Sequence, residues 1–309
     1  MAAQTGLIAV QGARKESGHD RWRRTVRRLP HYAFIAPYLL FFGAFSIGPI
    51  LYGFYMSLFH WEILASHQPF TGLDNYKRLI DDTLFWTALK NTVYFAGLTV
   101  AIETTLALLV ALAVRDRFFG RSFFQSIFYA PVTLSAAVMG VIMTQLISTG
   151  SLNYYLGPFG LGNFSFLANT TTVIPTLSLV SVWWGFGFPM LIFLAGLYNI
   201  PNDLYDAAHI DGAGTIQSFF SITLPLLRPT LLFVLVILVI AHLQVFAQNY
   251  IMTSGGPGYS SLSIVQYLYQ NAWQFYDLGY ASAIAVALAV LMGAFTAALF
   301  RLLGQRFEL

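Results

Sequence analysis

The stretch YDAAHIDGAGTIQSFFSITLPLLRP, Tyr205 to Pro229, lies between two of the most apolar runs of the chain, yet it carries Asp206, Asp211, Gly212, Gly214, Pro225, Arg228 and Pro229. The runs on either side, Thr172 to Tyr198 and Leu226 to Met252, are each long enough to cross the hydrocarbon layer, which takes about 20 mostly apolar residues in a helix. A polar segment broken by glycine and proline between two such runs belongs at the membrane surface. The rest of the chain is organised around it.

Of the 309 residues, 57% are hydrophobic and 9% charged, where soluble domains carry about 25% charged residues. That composition has no water-soluble packing solution, so the fold class is all-α and polytopic, with six transmembrane helices. Apolar runs bounded by charge place them near Tyr32 to Phe59, Phe85 to Val114, Ser122 to Ser148, Thr172 to Tyr198, Leu226 to Met252 and Tyr280 to Leu303. Residues 1–30 form a basic tail and 31–309 the transmembrane domain. The tail holds Arg14, Lys15, Arg21, Arg23, Arg24, Arg27 and Arg28, and loops on the same side add Arg115, Arg117, Arg121, Arg228, Arg301 and Arg306. By the positive-inside rule this is the cytoplasmic side, with both termini on it. The opposite loops hold only Lys77, Arg78 and Lys90.

The apolar run behind RWRRTVRRLP contains Pro37 and Pro49, is longer than a signal-peptide core and lacks a small-x-small cleavage site, which reads as an uncleaved first span. Its arginines suit anionic lipid headgroups. The external loops, His60 to Leu84, Thr149 to Thr171 and Thr253 to Gly279, are too short for a separate domain. Gly72, Gly150, Gly157, Gly160, Gly162, Gly255, Gly256 and Gly258 suggest tight turns in them. With no cysteine, disulfides and thiolate metal sites are excluded. Nucleic-acid binding is not expected, because the basic residues flank spans and do not cluster on a soluble face.

Within the opening stretch, Pro201, Asn202 and Asp203 read as a helix start with side-chain oxygens to cap free amides. A helix of about two turns follows, Gly212 and Gly214 break it, and TIQSFFSI makes a second amphipathic stretch leading to Pro225. Small Ala207 and Ala208 admit another backbone, while Asp206 and Asp211 offer charge to a basic partner. A hairpin that merely connects two spans would look the same.

The block DAAHIDGA, followed by eight residues and then ITLP at Ile222 to Pro225, resembles the cytoplasmic E-A-A loop of ABC importer permeases, whose pattern is E-A-A-x-x-D-G-A-x(8)-I-x-L-P. Asp206 stands in place of the first Glu and shortens that side chain. GLDNY at Gly72 to Tyr76, NTVYF at Asn91 to Phe95, GGPG at Gly255 to Gly258 and GYASA at Gly279 to Ala283 are similar to the maltose-type, carbohydrate-uptake branch.

The resemblance implies a type I importer permease fold, set in the plasma membrane of a prokaryote. It also implies that the loop, about 200–225, is a coupling helix docking into a cytoplasmic ATPase through Asp206, Ala207, Ala208, Asp211, Gly212 and Ala213. It further implies two ATP-binding cassette subunits, a second related permease subunit, an external solute-binding protein and a sugar or related neutral polyol or oligosaccharide as substrate. The residues agree on one point: a P-loop needs Gly-Lys-Ser/Thr, and Lys15, Lys77 and Lys90 follow Arg14, Tyr76 and Leu89. ATP and magnesium are therefore expected on a partner, with no cofactor or metal on this chain and no catalytic residue.

Polar groups inside spans are candidates for the solute pathway. The fifth span offers His242, Gln244, Phe246, Gln248, Asn249 and Tyr250, with His242, Phe246 and Asn249 at helical spacing on one face. The resemblance puts the sugar site on this helix. The alternative is hydrogen-bonding glue between helices. Trp183 and Trp184 lie in WWGFGFP, where Gly185, Gly187 and Pro189 loosen a helix beside rings that can stack on a sugar. Glu103, midway along the second span, is either a proton or ion site or a buried carboxyl bonded to a neighbouring helix, and Gln145 poses the same question without charge.

Two rival classes remain. An intramembrane enzyme would use Ser178 or Ser181 with His242, but no Gly-x-Ser-x-Gly, H-E-x-x-H or paired intramembrane aspartates are present. An ion-coupled carrier or passive channel would use Glu103 and His242 and would work alone.

Overall fold

A computed structural model describes residues 34–116, 118–148, 154–155, 157–160 and 165–304. The basic tail lies outside the described residues, as do Arg117, Gly150, Gly162 and Arg306. The chain divides into two compact units, Met1–Gly53 and Phe54–Leu309. Helix α1, Phe34–Met56, contains a π-helical turn at Gly43–Ile47.

In the second unit, α2 (Asp74–Asp81) leads to α3 (Thr83–Ala113), which starts where Asp82 Oδ1 accepts the amides of Leu84 at 2.8 Å and Phe85 at 3.3 Å. At 31 residues, α3 is about 46 Å long, more than the bilayer core needs. Its Ala88, Ala107 and Ala111 are fully buried, and such small residues let neighbouring backbones come close. This makes α3 the central post.

The expected third span is two helices, α4 (Arg121–Tyr129, continuing as a 3-10 turn to Thr133) and α5 (Ala136–Ser148), bent by 96°. Pro131 has no amide to donate and Leu134 is extended, so the ladder stops there. The fourth is likewise two, α6 (Val173–Gly185) and α7 (Gly187–Tyr198), bent by 51°. Then come α8 (Asn202–Ile210), α9 (Thr215–Leu226) and α10 (Arg228–Leu243), with a 67° bend between the last two.

Helix α10 ends before the expected limit of the fifth span: residues 244–246 are not helical, and α11 (Ala247–Thr253) is a separate piece. Short α12 (Ile264–Tyr269) and a π-helical turn at Gln270–Gln274 precede α13 (Leu278–Leu303). Helices α1, α3 and α13 are each long and apolar enough to span, and the three bent pairs pass the same test, giving six crossings when each pair counts as one.

Helix α3 packs against α6, α7 and α10, α10 also against α13, and α5 against α11. One apolar cluster, including Ala107, Ala111, Phe193 and Leu197, fills the end nearest α8. Two others, around Tyr280 and Ile284 and around Met139 and Leu177, fill the rest. Among the described residues there is no strand, only isolated bridges Phe59 to Phe70 and Glu62 to Asp277.

At the end opposite α8, the loops form a fastened cap. Buried Asn75 donates to the carbonyls of Ser57 and Phe59, both at 2.9 Å, and Tyr76 shares a 2.7 Å hydrogen bond with Ser57. Asn91 donates to Tyr259 and Leu262, and Thr92 Oγ1 accepts the Ile264 amide at 2.9 Å. Gly279 runs against the Phe59 carbonyl, where a Cβ has no room.

Candidate functional site

The polar stretch is a hairpin of α8 and α9. Its turn is set by the end of α8: the Gly212 amide donates to His209 O at 3.1 Å and the Ala213 amide to Ala208 O at 2.8 Å, with Gly212 at φ +83°. This is the paired closure that favours glycine after a helix end, so D-G-A is the local chemistry of a helix stop. The start of α8 differs from expectation. Its cap residue is Pro201 and no side chain caps it. Asn202 Oδ1 instead accepts from Arg115 at 3.4 Å, because the end of α3 lies beside the hairpin.

Asp206, Ala207, Asp211 and Gly212 are exposed, whereas Ala208 and Ala213 are half-buried. Only Ala207 of the alanine pair is open to another backbone; Ala208 turns inward with Tyr205. The outer surface is apolar at Ile210 (86% exposed) and Ile216 (77%). Between hairpin and α3 lies a cleft of about 1060 Å³ lined by Leu112, Asp206, His209, Ile216 and Phe220 among others.

A ladder of rings and guanidiniums clamps the base. Arg115 sits 4.4 Å from the Tyr205 ring centroid and Arg121 5.0 Å from that of Tyr198, contacts worth about 0.5–1 kcal/mol each at exposed sites. Tyr198 Oη donates to Arg115 O at 3.3 Å, and Tyr205 Oη meets Thr223 Oγ1 at 2.9 Å, tying the two arms together. Arg228 donates to Leu302 O at 2.9 Å, joining the root of α10 to the end of α13. These contacts link α8 to the end of α3 and to α9, α7 to the start of α4, and α10 to α13.

The intramembrane candidates fall into three groups. Glu103 of α3 (2% exposed) pairs with His242 Nε2 of α10 at 2.6 Å, with the Phe95 ring edge-on to the imidazole. Gly185 accommodates this carboxyl: a Cβ there would lie 2.7 Å from Glu103 Oε1, and one at Gly187 would strike the Phe128 carbonyl. These glycines thus admit neighbours into a bend.

Ser181 Oγ donates to Gln248 Oε1 at 2.8 Å and Gln248 Nε2 to Leu177 O at 3.3 Å, joining α6 to α11. Among the described residues, buried Asn249 has no partner for its Oδ1, nor Ser178 for its hydroxyl. No hydrogen bond links either serine to His242 among the described residues.

In the third group, Phe246 stacks on Tyr250 at 5.4 Å and both rings meet Tyr269. Tyr269 was not among the sequence candidates, since it lies in a different element with no local pattern to flag it. His242, Phe246 and Asn249 do not share a helical face: the chain leaves the helix at 244–246, where Phe246 has φ −140°. The freed Val245 carbonyl is satisfied by the Ser263 hydroxyl at 2.9 Å, the kind of repair a break inside a membrane needs. Gln244 is exposed and donates to Met292 Sδ at 3.1 Å. Trp184 Nε1 donates to Leu134 O at 3.2 Å, Trp183 is half-exposed, and Gln145 is exposed on α5.

The cap has its own polar centre. Asp82 Oδ2 accepts from Tyr267 and Tyr280 hydroxyls while its Oδ1 caps α3. Arg78 donates to Asp277 Oδ2 at 2.6 Å and packs 3.9 Å over the Tyr280 ring, and Asp277 Oδ1 caps α13. Burial works to raise the Asp82 pKa, but the two phenols and two amides outweigh it and hold the carboxyl below the usual range. Burial and the Asp82 carboxylate push Tyr267 up to about 12.

Known proteins agree with this architecture. Residues 103–309, more than half of the chain, match the family described as the binding-protein-dependent transport system inner membrane component. The chain is 34% identical over 297 residues to the arabinooligosaccharides transport system permease protein AraP of Bacillus subtilis (strain 168), covering 94% of this chain and 93% of that one. It is 35% identical over 269 residues to the trehalose/maltose transport system permease protein MalF of Thermococcus litoralis, covering 86% and 90%. A chain in the crystal structure of a bacterial alginate ABC transporter, in complex with alginate pentasaccharide-bound periplasmic protein, superposes with TM-score 0.77 at 25% identity over 91% of this chain and 96% of that one. The chain belongs to the inner membrane components of binding-protein-dependent transport systems.

Proposed function

We propose that this chain is one membrane half of an ATP-driven importer for a sugar, related neutral polyol or oligosaccharide. The observation that carries the reading is the exposed α8–α9 hairpin, closed at Gly212 and clamped at its base by Arg115, Tyr205 and Thr223. A protruding element with exposed Ile210 and Ile216 and rigid roots in four helices suits the transmission of force from a separate ATPase subunit that holds ATP and magnesium. Arg115, Arg121, Arg228 and Arg301 gather at the same end, which supports a cytoplasmic hairpin under the positive-inside rule. A second permease subunit completes the pathway and an external solute-binding protein delivers substrate to the cap.

For the solute, the half-buried rings of Phe246, Tyr250 and Tyr269 beside the break at 244–246 are the favoured surface, because broken helices in transporters often border the substrate. Glu103, His242, Gln248 and Ser181 satisfy one another and are better suited to holding helices together. Relatives named for arabinooligosaccharides and for trehalose and maltose support a sugar.

The test is Asp211→Lys. It reverses an exposed charge on the hairpin, so membrane insertion should persist while the ATPase subunits fail to co-purify and uptake falls to background. Normal uptake from this variant removes the assignment of the hairpin.

A further inference from the structure

Arg115 and Arg121, at the hairpin base, have no carboxylate within ion-pair distance among the described residues. Each instead lays its guanidinium over a tyrosine ring, Tyr205 and Tyr198 respectively. That packing uses the face of the group and leaves its N–H edge for an acceptor. Among the described residues the Arg115 guanidinium donates only to Asn202 Oδ1, at 3.4 Å. Both arginines line one open cleft of about 670 Å³, where Asp116 is the sole acidic wall residue among the described residues.

A second hollow of about 320 Å³ opens on the other side of Arg121, between Phe118, Phe123 and Gln125. Of the nearby phenylalanines, Phe118 and Phe123 line this second hollow at 43% and 64% exposure, Phe119 is fully exposed and Phe124 is 43% exposed. Arg115, Asp116 and residues 118–120 follow the end of α3 at Ala113 and precede the start of α4 at Arg121, where a span leaves the hydrocarbon; Arg117 lies outside the described residues. Whatever fills it must offer an anion and an oily body in one molecule, which inorganic phosphate and soluble nucleotides do not. An acidic protein surface would supply the charge without a cover for the rings.

We propose that this cleft is a binding site for the phosphate of an anionic phospholipid, with the edges of Arg115 and Arg121 on the phosphate and the phenylalanines of 118–124 among the acyl chains. Two arginine edges can bond phosphate oxygens in pairs, and basic residues at a membrane surface favour anionic lipid. Because Arg115 also carries Tyr205 and Asn202, a seated headgroup stiffens the base of the hairpin.

The experiment uses the full transporter complex in discs of phosphatidylcholine containing a minor fraction of phosphatidylglycerol, with retained lipids counted by native mass spectrometry. Arg115→Gln and Arg121→Gln should each lower phosphatidylglycerol retention about fivefold, the worth of one basic contact at an anionic surface. Arg121→Lys keeps the charge but neither the stacked face nor the paired edge, so it should lower retention, though less than Arg121→Gln, and Phe119→Ser, at a fully exposed position, should lower it without changing the thermal midpoint. Unchanged retention in the double Gln variant overturns the proposal. So does displacement of the lipid by millimolar inorganic phosphate, which makes free phosphate the ligand. Loss of the ATPase subunits from the double variant with lipid retention intact also overturns it, marking a protein-docking face.

Discussion

Asp82 shows how one residue can hold a whole end of this protein. Its carboxylate caps α3 and receives phenols from α12 and α13, so three elements converge on two oxygen atoms. Its pKa in the fold lies below the ordinary 3.8. The stabilisation it gives is therefore fully present above pH 3.8 and is lost as pH falls through the lower folded value. The thermal midpoint of the purified complex should be insensitive to this group from pH 8 to about 5 and should fall only in more acid solution. Asp82→Asn leaves a phenol facing an amide nitrogen and should cost about 1–3 kcal/mol at neutral pH while flattening that acid limb. A variant with the wild-type acid limb would show that the carboxylate is not the group titrating.

At the scale of elements, the hairpin depends on a backbone conformation. Gly212 at φ +83° has no atom within 4 Å of an added Cβ, so space is not its constraint. Gly212→Asn should be tolerated, since asparagine enters the left-handed region readily, whereas Gly212→Val should cost about 1–3 kcal/mol locally and unravel the turn. Co-purification of ATPase subunits and sugar uptake should be near wild type in the first and strongly reduced in the second. Equal behaviour of the two would mean the turn geometry is irrelevant to coupling.

The turn of this hairpin was legible in the sequence because the residues that start and stop α8 are local, Pro201 before it and Gly212 after it, whereas the clamp by Arg115 comes from the end of α3. The break at 244–246 was not, because AHLQVFAQNY contains no glycine or proline and reads as unbroken helix. What makes it tolerable comes from outside the segment: Ser263 takes the freed Val245 carbonyl. The bend at Gly185 and Gly187 was legible as a weak point, but its purpose depended on Glu103 and Phe128, which arrive from other helices.

At the scale of the molecule, the short motifs that pointed to a carbohydrate branch turn out to be fasteners. Asn75 of GLDNY and Gly279 of GYASA hold the 57–61 segment against α2 and α13, while Asn91 and Thr92 of NTVYF and Tyr280 of GYASA tie the 259–264 loop and α13 to the start of α3. None of them lies among the rings of Phe246, Tyr250 and Tyr269. If transport is a rocking of packed bodies, this cap should travel as one piece while the hairpin end responds to the ATPase. The absence of cysteine allows a direct check. Spin labels at Trp86→Cys and Tyr259→Cys, both at exposed positions on the cap, should keep their separation within about 2 Å between nucleotide-free and nucleotide-bound assemblies, the scale below which partners count as rigid. A larger change would place a hinge inside the cap, between α3 and the 253–263 loop. Force entering at α8 would then be absorbed by the Asn91 and Thr92 hydrogen bonds before it reached the docking surface of the solute-binding protein.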